Sequence, residues 1–405
     1  MQIVFSHMNF PAQFGSFGTY LATQGWEVSF FTEKEGVTPP AGCRIFRMKP
    51  HRSPTEGVHR FARPLEKAVI NGQAFASTAI AARQAGLTPD IVVAHSGWGA
   101  GTFAKAVWPD CRYVSYVEWY YRYPPVDMPD IETGQNDVDG RALALTRNAP
   151  TLLDMAEADM VLCPTYFQAA QFPDDLRQRL TILHDGVDTR FFVPDPQASF
   201  PEPVGALPDG AEVITYATRG MEPHRGFPEF MRAVAKLQKR RSTLHAVIGG
   251  ADRVAYGTRL GEGRSWKQIM LDELELDTSR LHWTGLLPRK SWRQLMQASH
   301  VHVYLTVPFV LSWSVIEAMA AGCAIVASDS RPVREAITPG QSGVLVDHKD
   351  IDALAGAIER LLDDRAEAAQ LGHAAREAAI RDFDSGWIYP AKARLLADLV
   401  KYGRG

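Results

Sequence analysis

The chain has 405 residues, 46% of them apolar and 22% charged, with a net charge of −3. That length suits two domains of roughly 200 residues, each able to bury a sizeable core. The charge balance gives no electrostatic footprint for nucleic acid, and no apolar run approaches the roughly 18 residues of a membrane-spanning helix. The N-terminus, "MQIVFSHMNF", lacks the basic and apolar regions of a signal peptide, so a cytoplasmic protein is expected. Cys43, Cys111, Cys163 and Cys323 form no CxxC pair and read as free thiols in a reducing compartment.

In chain order, short β-branched runs predict strands at 2–6, 27–31, 44–48, 90–95, 112–117, 159–163 and 180–184. Helix-like segments alternate with them, as parallel βαβ units require. After the first strand, Gln13, Gly15 and Gly18 match the spacing of a dinucleotide fingerprint, except that glutamine stands at its first position. Glu33 lies near the place of a ribose-binding acid, so a nicotinamide-dependent dehydrogenase has to be weighed. The missing glycine, needed for the tight turn under a pyrophosphate, counts against it. Gly15 and Gly18 equally suit close packing of a helix on a sheet. The segment "KPHRSPTEGVHRFARPLEK" (49–67) gathers basic and aromatic residues. It could meet an anionic or lipid-linked partner at a membrane surface, or be a solvated loop and helix; the second reading is favoured. His95 ends a strand, either facing a site or capping a loop. Glu118 follows the next strand in "YVEWYYRYPP".

The stretch "VPDPQASFPEPVGALPDG" (193–210), with its prolines and no periodicity, has the signature of a linker. Beyond it, strands are predicted at 213–218, 244–250, 281–285, 300–306, 323–328 and 343–347. "TRGMEPHRGF" sets Arg219 and Arg225 in a loop at the carboxyl end of a strand, ahead of an amphipathic helix. Two guanidinium forks near unpaired helix N–H groups suit an oxyanion. "PFVLSWSVIEAMAAGCAIVASDS" (308–330) reads as loop, helix and buried strand, the helix starting at Ser312 or Trp313 with Ser312 or Ser314 near its cap. Glu317 falls a turn inside it among apolar residues. An unpaired buried carboxylate costs several kcal/mol, so Glu317 needs partners. Ribose hydroxyls, backbone N–H groups and an arginine all qualify. Two doubly wound α/β domains facing each other across a cleft are expected. No Walker A, HExxH, GxSxG or paired CxxC motif is present. "DVD" (137–139) and "DFD" (382–384) are not convincing metal sites.

The segment "FVLSWSVIEAMAAGCAIVASDSRPVREAI…GQSGVLVD" resembles the donor-binding segment of family 4 glycosyltransferases. "NFPAQFGSFGTYLATQGWEV", "DIVVAHSGWG", "LHDGVDTRFF", "TRGMEPHRGFPEF" and "LHWTGLLPRKSW" extend the resemblance along the chain in the same order. It implies the two-Rossmann-domain GT-B fold. The acceptor-binding domain would span 1–192, the linker 193–210 and the nucleotide-sugar donor-binding domain 211–384, with a helix at 385–405 crossing back to the first domain. It further implies a retaining sugar transfer from a nucleotide-diphosphate sugar, with no cofactor and no metal. Arg219 and Arg225 would hold the diphosphate and Glu317 the ribose. Backbone amides at Ser312, Trp313 and Ser314 would face the distal phosphate and sugar, with Gly285 and Leu286 beside the base. Gly15 and Gly18 would approach the phosphates, and Glu118 and His95 would lie where sugar and acceptor react. The chain departs from the family where a glutamate that touches the transferred sugar is replaced by Phe309, and a Phe-Gly turn by Leu311-Ser312. A phenylalanine accepts no hydrogen bond from a sugar hydroxyl, so donor recognition is altered and a degenerate binding or scaffold protein is the rival reading.

Overall fold

The computed structural model describes residues 1–128, 137–257, 260–261 and 263–403. Each predicted strand forms. The first half gives β1 (Gln2–Ser6), β2 (Glu27–Thr32), β3 (Cys43–Arg47), β4 (Ile91–His95), β5 (Arg112–Tyr116), β6 (Met160–Cys163) and β7 (Leu180–Ile182). The second gives β8 (Glu212–Gly220), β9 (Leu244–Ala251), β10 (Leu281–Gly285), β11 (Val301–Tyr304), β12 (Ile325–Ser328) and β13 (Val344–Val346). The sheets run β3-β2-β1-β4-β5-β6-β7 and β10-β9-β8-β11-β12-β13, and their strand pairs are parallel. In each, the order reverses beside the first strand, between β1 and β4 and between β8 and β11. Ligands of open α/β sheets sit beyond the carboxyl ends of strands at such a switch point.

Near-continuous apolar strands need cover on both faces, and both sheets have it. On the first sheet, Val4, Phe31 and Val92 pack into one cluster and Ile3, Phe5, Phe30 and Val93 into the opposite one. On the second, Ile214, Tyr216 and Ile248 face one way, and Val213, Val247 and Ile325 the other. Fully burying one such side chain contributes about 1.5–3 kcal/mol. Among the described residues no helix is long and apolar enough to cross a membrane. All four cysteines are free, Cys43 half-buried and the others buried.

The chain divides into two compact units. One holds Met1–Val126, Asp130–Asp185 and Trp387–Gly405, the other Asp127–Pro129 and Gly186–Gly386. The boundary therefore falls earlier than residue 193. The proline-rich stretch 193–210 is not a free linker: Phe200, Val204 and Leu207 pack against the second unit's core. Prolines without periodicity signal irregular backbone, but the apolar residues between them still find a surface. The terminal helix Ser385–Tyr402 buries Leu396 and Leu399 in the first unit's core.

Candidate functional sites

In the second unit a cavity of about 250 Å³ opens beyond the carboxyl ends of β8 and β11. It gathers Arg219, Arg225, Gly285, Leu286, Ser312 and Ser314, six of the residues singled out in the sequence. Their settings differ from expectation in two places. β8 continues to Gly220 with a register shift after Ala217, so Arg219 lies in the irregular end of a strand rather than in a loop. Arg225 ends a short 3-10 helix, Pro223–Arg225. Gly226 follows at φ +66°, where a Cβ would sit 2.4 Å from that of Leu305. Only glycine allows this turn, which starts the Phe227–Arg240 helix.

Arg225 is 6% exposed. Its guanidinium donates to the Thr306 hydroxyl at 2.8 Å, the Tyr304 hydroxyl at 3.4 Å and the Val310 carbonyl at 3.3 Å. All three acceptors are neutral. The Tyr256 and Phe309 rings lie 5.1 and 5.5 Å from its central carbon. Phe309 also packs edge-on to His224 and Tyr256, at 4.7 and 5.3 Å. Desolvation by burial, with the charge of Arg225 beside it, lowers the His224 pKa to about 4. Ser312 caps the Trp313–Ala320 helix, its hydroxyl accepting from the Ser314 N–H. Its own N–H donates to the Tyr304 hydroxyl at 3.0 Å. Trp313, at the first helical position, is 36% exposed, and Leu286 is 64% exposed at the cavity mouth.

Glu317 is half-buried one turn into that helix, and its carboxylate has a protein partner that sequence reading did not single out. The Trp292 indole N–H donates to it at 2.7 Å, and Trp292 lines the cavity. Burial pushes the Glu317 carboxyl above its ordinary range, with the Trp292 bond and the charge of Arg289 acting the other way. Sequence reading also missed Glu222, which is fully buried. Its carboxylate accepts from the N–H groups of Ala255, Tyr256 and Gly257 at 2.7–3.1 Å, so it holds in place the loop that carries Tyr256. The paired glycines ending "LHAVIGG" are a further missed signal. Gly249 and Gly250 line the cavity, and at φ +130° a Cβ on Gly250 would meet the Thr218 carbonyl at 2.3 Å.

The first unit joins His95 and Glu118 at the ends of β4 and β5. His95 Nε2 lies 3.1 Å from Glu118 Oε2, and its Nδ1 lies 2.9 Å from the Ser96 carbonyl. Gln13, which breaks the glycine fingerprint, donates its side-chain amide to Glu118 Oε1 at 2.6 Å. Burial acts to raise the Glu118 carboxyl, but bonds from His95 and Gln13 and the charges of His95 and His7 hold it below its ordinary range. Gly15 and Gly18 both sit too close to a neighbouring side chain to carry one of their own. A Cβ on Gly15 would sit 2.5 Å from Pro11, and one on Gly18 would sit 2.5 Å from the Phe30 ring.

Both acidic triplets have structural roles. Asp137 caps the Val138–Arg147 helix, and Asp139 pairs with Arg60. Asp382 pairs with Arg381, and Asp384 accepts from the Gly386 N–H. Among the described residues no cluster of three or more His, Cys, Asp or Glu is placed to hold a metal ion.

Residues 24–192 match the family model described as glycosyl transferase family 4 group, and residues 202–378 match glycosyl transferases group 1. Alpha-maltose-1-phosphate synthase of Mycobacterium tuberculosis (strain CDC 1551 / Oshkosh) is 27% identical over 230 residues, 53% of this chain and 55% of that protein. The chain thus spans about half the length of the curated relatives it matches first. D-inositol 3-phosphate glycosyltransferase of Corynebacterium urealyticum is 25% identical over 89% of this chain and 84% of its own length. Among solved structures, sucrose-phosphate synthase from Thermosynechococcus elongatus shares the fold with a TM-score of 0.75 at 19% identity, covering 99% of both chains. Anabaena HepE, solved with UDP-glucose, gives 0.71 at 17% identity, over 98% of this chain and 100% of its own. With one family model matching most of each half, the chain belongs to glycosyltransferase family 4.

Proposed function

We propose that the chain transfers a sugar from a nucleotide-diphosphate donor to an acceptor hydroxyl, with retention at the anomeric carbon and without a metal ion. The observation that carries this reading is Arg225, a buried guanidinium whose hydrogen-bond acceptors are all neutral. A buried charge is costly until paired, so the cavity favours an anion. UDP-glucose in the HepE structure supports a nucleotide sugar as that anion. In this reading Arg225 and Arg219 take the diphosphate, and the N–H groups at the start of the Trp313–Ala320 helix add their share of the helix dipole. Glu317, held by Trp292, accepts the ribose hydroxyls, and Gly285 and Leu286 flank the base.

As the bond from anomeric carbon to phosphate oxygen breaks, charge grows on the departing diphosphate, and the held guanidinium of Arg225, with that of Arg219, stabilises it. The acceptor oxygen bonds to the same face of that carbon, and its proton passes to the departing phosphate oxygen. No protein base is consumed. In the first unit, His95 and Glu118 are the residues this reading assigns to positioning an acceptor hydroxyl. Phe309, packed among His224 and Tyr256, favours one rival reading, a protein that binds the donor and does not turn it over.

The test is a thermal-shift panel of UDP-, GDP- and ADP-sugars and NAD, followed by assay of nucleoside diphosphate release. A true donor at about 100 times its Kd stabilises the native state by about 2.7 kcal/mol. One nucleotide sugar is expected to raise Tm and to be consumed. Stabilisation without turnover selects the binding protein, and stabilisation by NAD alone rejects the donor assignment.

A further inference from the structure

Beyond Glu118 the first unit carries a second concavity, of about 490 Å³, that the chemistry above does not use. Tyr120, Tyr121 and Tyr123 line it, together with Arg141 and Leu145 of the Val138–Arg147 helix. Its tyrosine wall is fixed. The Asn148 amide brackets Tyr121, accepting from its N–H at 2.8 Å and donating to its carbonyl at 2.9 Å. Arg122 ties the same segment to the carbonyls of Ala170, Gln171 and Phe172. Tyr120 packs on Phe172 with ring centroids 5.2 Å apart.

Three features specify what fits. The Val138–Arg147 helix buries none of its residues, and Leu145 is 65% exposed, so apolar surface stands open to a ligand. The volume lies within the roughly 300–1,000 Å³ of ordinary small-molecule sites. Among the described residues the lining holds two arginines and no carboxylate. Arg122 is bonded to neutral carbonyls, and Arg147 adds a third positive charge 3.8 Å from the Tyr121 ring centre. Two acids of the adjoining helix are engaged elsewhere, Asp137 with the Gly140 N–H and the Tyr123 hydroxyl, and Asp139 with Arg60. Tyrosine faces suit the C–H face of a sugar ring, and guanidinium forks suit an oxyanion.

We propose that this groove is an acceptor subsite, taking a saccharide ring that bears a carboxylate or a phosphate. The proposal rests on the glycosyltransferase reading and names the class of its acceptor. Tyr120 stands two residues after Glu118, within about 7 Å of chain, so a ligand seated there extends toward the His95–Glu118 pair.

Ligand-observed NMR on the full chain tests it with three probes: methyl β-glucuronide, glucose 6-phosphate and methyl β-glucoside. At least one anionic probe is expected to bind more tightly than the neutral glucoside, and the better of the two distinguishes carboxylate from phosphate. Its affinity is expected to fall about tenfold in Arg141→Ala, the scale for one charge-assisted bond, and similarly in Tyr121→Ala. Tyr121→Phe keeps the ring and is expected to keep the affinity. Nucleoside diphosphate affinity, measured by calorimetry on the same samples, is expected to be unchanged. Wild-type protein that binds nucleotide but neither anionic probe, or binds all three probes alike, overturns the groove. Wild-type protein that binds no nucleotide overturns the donor reading instead, and the probe titrations still decide the groove.

Discussion

The two sites handle charge in opposite ways. In the second unit Arg225 is buried with only neutral acceptors around it. In the first unit Glu118 is already satisfied by His95 and Gln13. A cavity that leaves a charge unpaired holds desolvation free energy in reserve, and an arriving anion releases it. A pair that is complete by itself gains little from a charged ligand and serves better to position one. Under the proposed reading, binding an anion and orienting a hydroxyl would fall to different sheets.

Substitutions can break this contrast. The largest expected effect is from Arg225→Ala, a loss of about two to three orders of magnitude in kcat, the scale for one preorganised stabiliser of developing charge. Near-normal turnover would remove Arg225 from the reaction. Next comes pH. Burial lowers His184 in the first unit and His302 in the second to a pKa of about 4, against about 6.5 in an unfolded chain. Below pH 6.5 the unfolded chain takes up protons that the native state refuses. Stability is therefore whole above pH 6.5 and falls until about pH 4, by about 3 kcal/mol for each histidine. Urea unfolding across that window should show the decline, and His302→Asn should make it shallower; an unchanged slope contradicts the assignment.

Gly18→Ala is expected to cost about 2 kcal/mol by driving a methyl group into Phe30, with nucleotide affinity intact. Weaker nucleotide binding at unchanged stability would instead return Gly18 to the phosphates. The smallest effect sharpens the donor side. Glu317→Ala is expected to weaken nucleotide binding by about tenfold, the scale for one charge-assisted bond. Trp292→Phe should do part of the same through orientation alone. Calorimetry showing no change in either variant rejects the ribose role.

The strands and the Ser312-capped helix were legible because their signals are local: apolar period, β-branching, and a serine before an apolar run. The anion cavity was legible in part because Arg219, Arg225, Ser312 and Ser314 lie at or just beyond the carboxyl ends of strands, where the fold places ligands. The partnerships were not. Trp292 reaches Glu317 across 25 residues and Gln13 reaches Glu118 across 105, and no pattern within a segment encodes such pairings. Gln13 is instructive, since it appeared only as a defect in a glycine motif and is in fact a partner of the central acid. The stretch 193–210 misled for a related reason. Its prolines report backbone irregularity, while Phe200, Val204 and Leu207 decide where it lies.

Glu222 has a wider consequence. It places a negative group three residues from Arg225, where a direct ion pair would have closed the cavity to visitors. Its oxygens are instead occupied by the amides of residues 255–257. The resident acid is thereby kept from pairing with Arg225, and it holds the tyrosine that walls the cavity.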